Sequence, residues 1–345
     1  MFTPSSDRPL IVAGPCSVES RSQLEAVTRS LSAMPQVRLL RAGVWKPRTR
    51  PGGFEGLGQI ALKWMQELAA EYGIGYCCEV ASPTHVELCL RYGIRAVWIG
   101  ARTTANPFMV DELCSALRGT AMAVMVKNPV CPDVGLWQGA VERLQAAGIT
   151  DLAAIHRGFN VYNNRGYRNA PMWEVAMEFR RQCPQVPILC DPSHMAGRAD
   201  LVPSLASAAL QLAYDGLMLE VHPSPAEAWS DAAQQLSPQQ LQALLADWLH
   251  PHPSPTDAPP SLLPLREQID DIDHDLLALL AQRMDISRRI AAIKHQQHLP
   301  VYQSLRWTAV MDDRLQQAAR LGLDQEFTRE LMEKIHSESI RQQIE

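Results

Sequence analysis

Eight short apolar runs, each followed by a stretch with helical spacing, limit this chain's possible folds more than any other feature. The runs occupy 10–17, 37–45, 74–82, 96–101, 121–128, 152–157, 186–191 and 216–222. They lack a polar–apolar alternation, so both faces must be covered, as in parallel strands sheathed by helices. Helical patterns lie between them at 20–34, 57–72, 84–92, 136–147, 172–182 and 199–213. Helix openings with a cap or a first-turn proline stand at Ser82-Pro83, Asn106-Pro107 and Asn169-Ala170-Pro171. Eight alternating units in about 240 residues predict an α/β fold, a (β/α)8 TIM barrel. A doubly wound open sheet is the competing arrangement. It has fewer strands and a glycine fingerprint after the first one, and neither fits this chain.

The alternation stops at 250. Proline stands at 251, 253, 255, 259 and 260, which forbids helix and sheet interiors and favours extended chain. The implied domains are 1–250, a proline-rich linker at 251–261, and 262–345. His250 and His252 in this stretch read as a solvated pair rather than a metal site. Beyond the linker only helical spacing remains. Leu265, Ile269, Ile272, Leu276, Leu279, Leu280, Met284, Ile290 and Ile293 mark a helix over 262–296, and Pro300 stops it. Helices near 304–321 and 325–343 follow, separated by Gly322. At 1.5 Å per residue the first would run about 50 Å, too long to bury beside two shorter helices. A second copy of the chain is expected to cover it, as a two-fold dimer.

A net charge of -5 argues against nucleic acid as a partner. No apolar run approaches the ~18 residues that span a bilayer. The polar opening lacks the layout of a signal peptide, so a cytoplasmic protein is expected. With the barrel starting near residue 8, no regulatory domain is expected ahead of it. Cys77 and Cys78 are adjacent and poorly placed to bridge each other. Cys89, Cys114 and Cys190 lie in apolar runs, where a reduced thiol behaves as a small hydrophobe.

Barrel enzymes build their sites where the C-terminal ends of the strands meet. Those ends carry Cys16; Arg41 with Lys46, Arg48 and Thr49; Glu79; Arg102; Lys127; His156 and Arg157; Asp191 and His194; and Glu220 with His222. Solvated loops explain any one of these, but explain poorly a charged or metal-capable side chain at nearly every end. Unpaired charge in a barrel mouth is costly. The cations therefore imply a small, multiply anionic substrate, with phosphate and carboxylate groups. Cys16, His194 and Glu220 come from strands 1, 7 and 8, which become neighbours on closure, and Asp231 lies just beyond. The four can form a borderline donor set for a divalent first-row metal, although spacing alone does not establish one.

The segments Gly14-Pro15-Cys16-Ser17-Val18-Glu19, Lys46-Pro47-Arg48-Thr49, Ile99-Gly100-Ala101-Arg102, Ile155-His156-Arg157-Gly158, Asp191-Pro192-Ser193-His194 and Glu220-Val221-His222-Pro223 together resemble the type I-beta DAHP synthases. The resemblance runs in order through most of 8–250. It implies condensation of phosphoenolpyruvate with erythrose 4-phosphate to 3-deoxy-D-arabino-heptulosonate 7-phosphate. It implies one divalent ion (Mn, Co, Fe or Zn) held by Cys16, His194, Glu220 and Asp231, and Lys46 among the catalytic residues. Arg102, Lys127 and Arg157 would hold the phosphate of phosphoenolpyruvate, and Arg41, Lys46 and Lys127 its carboxylate. Arg48 and Thr49 would take the aldose phosphate. The related 3-deoxy-manno-octulosonate 8-phosphate synthases carry an asparagine-containing segment in place of Lys46–Thr49, and many replace the cysteine. Lys46-Pro47 and Cys16 therefore favour the DAHP synthases. Arg50-Pro51-Gly52-Gly53 stands where a Ser-Pro is common, and Asn128-Pro129 where Arg-Gly is frequent. Both are read as variation in loop shape.

The remainder, 262–345, resembles the all-helical chorismate mutases, a three-helix fold that dimerises. The matching residues are Leu265-Arg266-Glu267-Gln268-Ile269-Asp270, Arg283, Lys294, Pro300-Val301, Arg306, Ser339 and Gln343. The resemblance implies rearrangement of chorismate to prephenate without a cofactor. That reaction is pericyclic and needs a compact conformer held in place, with charge on the ether oxygen stabilised. Arg266 of the partner copy, Arg283 and Arg306 would meet the carboxylates. Lys294 and Gln343 would meet the ether oxygen, and Ser339 would also bind substrate. Gln303 and Trp307 stand where acidic residues are common, which puts contacts to the ring hydroxyl in question. A helical domain that senses chorismate or prephenate, or that only dimerises, is the alternative. Feedback by either compound on the barrel is expected.

Overall fold

Every apolar run contains a strand, and each strand is shorter than its run. The computed structural model describes residues 1–2, 9–46, 52–162, 164, 166–248 and 260–344. Its strands are β1 (Leu10–Gly14), β2 (Val37–Arg41), β3 (Tyr76–Val80), β4 (Ala96–Ile99), β5 (Ala123–Lys127), β6 (Leu152–His156), β7 (Ile188–Cys190) and β8 (Gly216–Glu220). All pair in parallel with their sequence neighbours, and β8 returns to β1, with Leu10 opposite Gly216 and Gly14 opposite Glu220. Closure leaves no sheet edge, which disposes of the open-sheet arrangement. The surplus residues that follow each strand leave the ladder and enter the loops of the barrel mouth, while those at 74–75, 121–122 and 186–187 precede their strands at the other end.

The helices are α1 (Arg21–Ser32), α2 (Gln59–Tyr72), α3 (Pro83–Arg91), α4 (Ala101–Thr104), α5 (Pro107–Leu117), α6 (Val134–Ala146), α7 (Trp173–Gln182), α8 (Pro192–Ala196), α9 (Val202–Gln211) and α10 (Pro238–Trp248). Caps start several of them. Ser82 accepts from the His85 amide ahead of Pro83, and Asn106 accepts from the Phe108 and Met109 amides ahead of Pro107. Two expectations are corrected here. Arg102 does not end strand 4: the chain turns into α4 directly after Ile99, with Thr104 Oγ1 donating to the Gly100 carbonyl at 3.1 Å. The pattern at 199–213 divides into a 3-10 turn, Ala199–Leu201, and α9, with Pro203 in the first turn of α9.

One glycine decides how closely β1 and β2 approach at the mouth. Gly14 has φ +150°, and a Cβ there would lie 2.0 Å from the Arg41 carbonyl oxygen. Its bare backbone lets the loop bearing Cys16 pass directly over the end of β2.

The chain divides into two compact units, Met1–His252 and Pro253–Glu345. The second consists of α11 (Leu263–Gln296), α12 (Ser304–Arg320) and α13 (Gln325–Ile344), after a 3-10 turn at Pro260–Leu262. Helix α11 stops before Pro300, and Gly322 adopts φ +74° between α12 and α13. Leu265, Ile269, Ile272, Leu276 and Leu279 of α11 are each more than half exposed in the single chain. His250 and most of the linker, including His252, lie outside the described residues. Among the described residues no helix is long and apolar enough to cross a membrane.

Candidate active site

The barrel mouth collects polar side chains from the ends of β1, β2, β5, β6, β7 and β8 and the loops beyond them. Cys16, two residues past β1, is fully buried, and its Sγ lies 3.1 Å from Asp231 Oδ2. Lys46 Nζ donates to the same sulfur at 2.6 Å. Ligand atoms of Cys16, Glu220 and Asp231 all lie within 4.8 Å of one another. His194 adjoins this trio, with Nε2 3.7 Å from Glu220 Oε1 and Nδ1 2.8 Å from Asp191 Oδ2.

Burial, reinforced by the Glu220 charge, pushes the Cys16 thiol up to about 12. A thiolate there requires a cation close by. Glu220 Oε1 is buried and has no hydrogen-bond donor among the described residues, although Arg41 Nη2 stands 2.9 Å away as an ion pair. Burial acts to raise the Glu220 carboxyl, but His194, Arg41 and Lys46 hold it below its ordinary range. Asp231 is likewise held low by Arg168, Lys46 and His194, against the effect of its burial. One sulfur, two ionised carboxylates, an orphaned buried oxygen and an adjacent imidazole fit a divalent metal.

The cations line the same mouth. Arg41 is 1% exposed, packs over the Trp98 ring at 5.1 Å, and leaves Nε and Nη1 without partners among the described residues. Lys127 Nζ donates to Asp191 Oδ2 at 2.8 Å. His194, Lys127 and Arg41 hold the Asp191 carboxyl well below the carboxylate range, although burial opposes them. Arg157 donates from Nη1 to Asn169 Oδ1 at 2.7 Å, and burial lowers its guanidinium to about 10. Arg102 is exposed on α4. Arg48 and Thr49 lie outside the described residues.

Several residues given no site role by their sequence context hold this arrangement, and Asn169, expected in a helix opening, does not cap α7, whose N-cap is Met172. Asn169 accepts from Arg157 and donates from Nδ2 to the His194 carbonyl at 2.7 Å, so it joins the cation belt to the donor set. Arg168 Nη1 reaches Asp231 Oδ1 at 2.9 Å, and Gln234 Nε2 donates to Glu220 Oε2 at 2.6 Å. Gln235 Oε1 accepts from the Cys16 amide at 3.1 Å. Their only sequence signal was polarity in loops flanking the motifs. Asn128, read as loop variation, has a bracing role: Oδ1 accepts from the Arg157 amide at 2.7 Å, and Nδ2 donates to the Gly158 carbonyl at 3.0 Å. Glu19 and His222, from the first and last motifs, meet at 3.3 Å and tie the β1 and β8 loops together.

In the helical unit, Arg283 of α11 donates to Ser339 Oγ and to the Ile335 carbonyl on α13. Lys294 Nζ reaches the Val301 carbonyl at 2.6 Å and Gln343 Oε1 at 3.4 Å. Four of the expected residues therefore converge. Arg266 and Arg306 are exposed on α11 and α12.

Over residues 2–250 the chain matches the DAHP synthetase I family, and over 265–344 it matches chorismate mutase type II. A phospho-2-dehydro-3-deoxyheptonate aldolase of Thermotoga maritima is 33% identical over 226 residues, covering 66% of this chain and 64% of that protein. The match thus spans a little less than two thirds of that relative's length. A crystal structure of phospho-2-dehydro-3-deoxyheptonate aldolase (DAHP synthase) from Thermotoga maritima is similar with a TM-score of 0.64 and 30% identity, covering 71% of this chain and 69% of that one. A 2-dehydro-3-deoxyphosphooctonate aldolase of Nitratidesulfovibrio vulgaris is 26% identical over 260 residues, covering 70% of this chain and 90% of that protein.

Proposed function

Because this chain belongs to the DAHP synthetase I family through residues 2–250 and carries a chorismate mutase type II domain at 265–344, we infer that it has two activities. The barrel condenses phosphoenolpyruvate with erythrose 4-phosphate, and the helical domain rearranges chorismate to prephenate. The observation that carries the first activity is the trio of buried Cys16 and Glu220 with half-buried Asp231, beside a belt of cations at one barrel mouth.

Cys16, Glu220, Asp231 and the adjoining His194 would hold one divalent ion, which supplies Lewis-acid polarisation of the aldehyde when bound. Arg41 offers two donors, unpartnered among the described residues, to the carboxylate of phosphoenolpyruvate. Lys127, Arg157 and Arg102 take its phosphate, and Arg48 with Thr49 the aldose phosphate. Lys46, whose Nζ lies beside Cys16, would meet the same carboxylate and donate toward the aldehyde oxygen. Fixing both anions lets the enol carbon attack the aldehyde, after which water adds at the cationic carbon and phosphate departs. Such positioning contributes several kcal/mol.

In the helical domain, Arg283, Lys294, Ser339 and Gln343 form one substrate cluster, completed by Arg306 and by Arg266 from a partner copy. The exposed apolar stripe on α11 supports a homodimer. Prephenate or chorismate bound there would restrain the barrel, and unchanged condensation kinetics at saturating levels of both would refute that feedback. A cytoplasmic location, with 251–261 as linker, completes the reading. Trp307 favours one alternative, in which the helical domain binds these ligands without turning them over. A paired assay of both reactions with and without EDTA tests the whole: chelation should abolish condensation and spare rearrangement. Condensation that survives chelation refutes the metal site. Absent rearrangement with measurable binding leaves only the sensor.

A further inference from the structure

The helical unit departs from its family pattern at Gln303 and Trp307, and the structure shows what Trp307 does. Its ring lies flat on the His336 imidazole, with centroids 3.8 Å apart and an interplanar angle of 11°. Tyr302 flanks the same imidazole at 6.2 Å, tilted by 56°. His336 lies on α13, three residues before Ser339 and seven before Gln343, so the three share one helical face. Arg283 and Lys294 converge on that face. Arg283 reaches the Ile335 carbonyl, immediately before His336, and Lys294 reaches Gln343.

His336 Nε2 is shielded from solvent and has no hydrogen-bond partner among the described residues. Buried ring nitrogens are normally satisfied, so an orphan beside a substrate cluster calls for a ligand atom. Burial first, then the Arg283 and Lys294 charges, lowers the imidazole below its ordinary value, which keeps it neutral near pH 7. A neutral ring nitrogen among cations is matched to a hydroxyl, with which it can donate or accept. The carboxylates have better partners in Arg283 and Arg306, and the ether oxygen in Lys294.

We propose that His336 is a further ligand-binding residue of the helical site, its Nε2 bonding the ring hydroxyl of chorismate in place of the acidic contact that Trp307 removes. The Trp307 stack sets the plane of the imidazole. The inference rests on the mutase reading given above.

The test is kcat/KM of the full-length protein for chorismate and for an analogue lacking the ring hydroxyl, in wild type, His336→Leu and His336→Gln. His336→Leu should lower the value for chorismate about tenfold, the size of one lost hydrogen bond. It should leave the analogue's value unchanged, and His336→Gln should recover part of the loss. A wild-type value for chorismate in His336→Leu overturns the proposal, and so does an equal loss with both compounds. Should His336→Leu fail to fold, Trp307→Leu, which frees the imidazole, decides it: an unchanged ratio between the two compounds overturns the proposal. A wild-type protein inert toward both compounds overturns the mutase reading itself and this inference with it.

Discussion

Replacing Arg41 should separate its part in substrate binding from its part in the fold. Its guanidinium is buried, with Nη2 2.9 Å from Glu220 Oε1 and with Nε and Nη1 unpartnered among the described residues. Those two donors are the ones a substrate carboxylate would use, at about 1.5–3 kcal/mol for each charged hydrogen bond. Arg41→Lys keeps a cation against Glu220 but presents a point charge in place of a fork. Losing one of the two bonds should lower kcat/KM for phosphoenolpyruvate about 10- to 150-fold at saturating metal. Arg41→Met also removes the ion pair at Glu220 Oε1, and breaking a buried ion pair costs about 3–5 kcal/mol. At about 2–4 °C per kcal/mol for a domain of this size, Tm should fall by roughly 6–20 °C. The assay is steady-state condensation with each substrate varied in turn, paired with thermal unfolding of the same preparations. An Arg41→Lys variant within twofold of wild type for phosphoenolpyruvate would refute the assignment of those free donors to substrate.

Gly14→Ala places a Cβ 2.0 Å from the Arg41 backbone oxygen, which no side-chain rotation relieves; the barrel should lose at least about 2 kcal/mol, and an unchanged urea midpoint would contradict the packing. His156 is buried against Tyr214, and burial lowers its imidazole to about 3. The unfolded chain takes up that proton first as pH falls below about 6.5, so this contribution to stability is present above 6.5 and lost toward 3. At pH 5 the loss should be about 2 kcal/mol relative to pH 7.5. His156→Gln should flatten the urea midpoint over that interval, and parallel curves for the two proteins would rule the histidine out. Ile272→Glu with Leu276→Glu puts charge on the bare stripe of α11; sedimentation should show loss of a dimer together with loss of rearrangement, while condensation is retained. A variant that sediments as wild type would remove the stripe from the interface.

Part of this protein follows directly from residue order. Helical and strand periods are local, so the runs around β1 to β8, the break at the prolines and the purely helical remainder are written in short windows of sequence. Strand ends are local too, and in a barrel they all open at one mouth. Residue order alone therefore assigns Arg41, Lys127, Glu220 and their companions to a common rim. Other features depend on loops that meet only after closure. Nothing near residue 169 shows that Asn169 will touch both Arg157 and His194, and nothing near 234 shows that Gln234 will brace Glu220. Arg102 left the end of its strand because one turn of helix begins at Gly100, a change too short to alter any period. Trp307 showed as a mismatch in the pattern, but its role depended on which ring of α13 it would meet. Hydrophobic periodicity reports which face of an element is buried. The partner of a polar atom is chosen by closure over long sequence separations, and only the folded chain shows that choice.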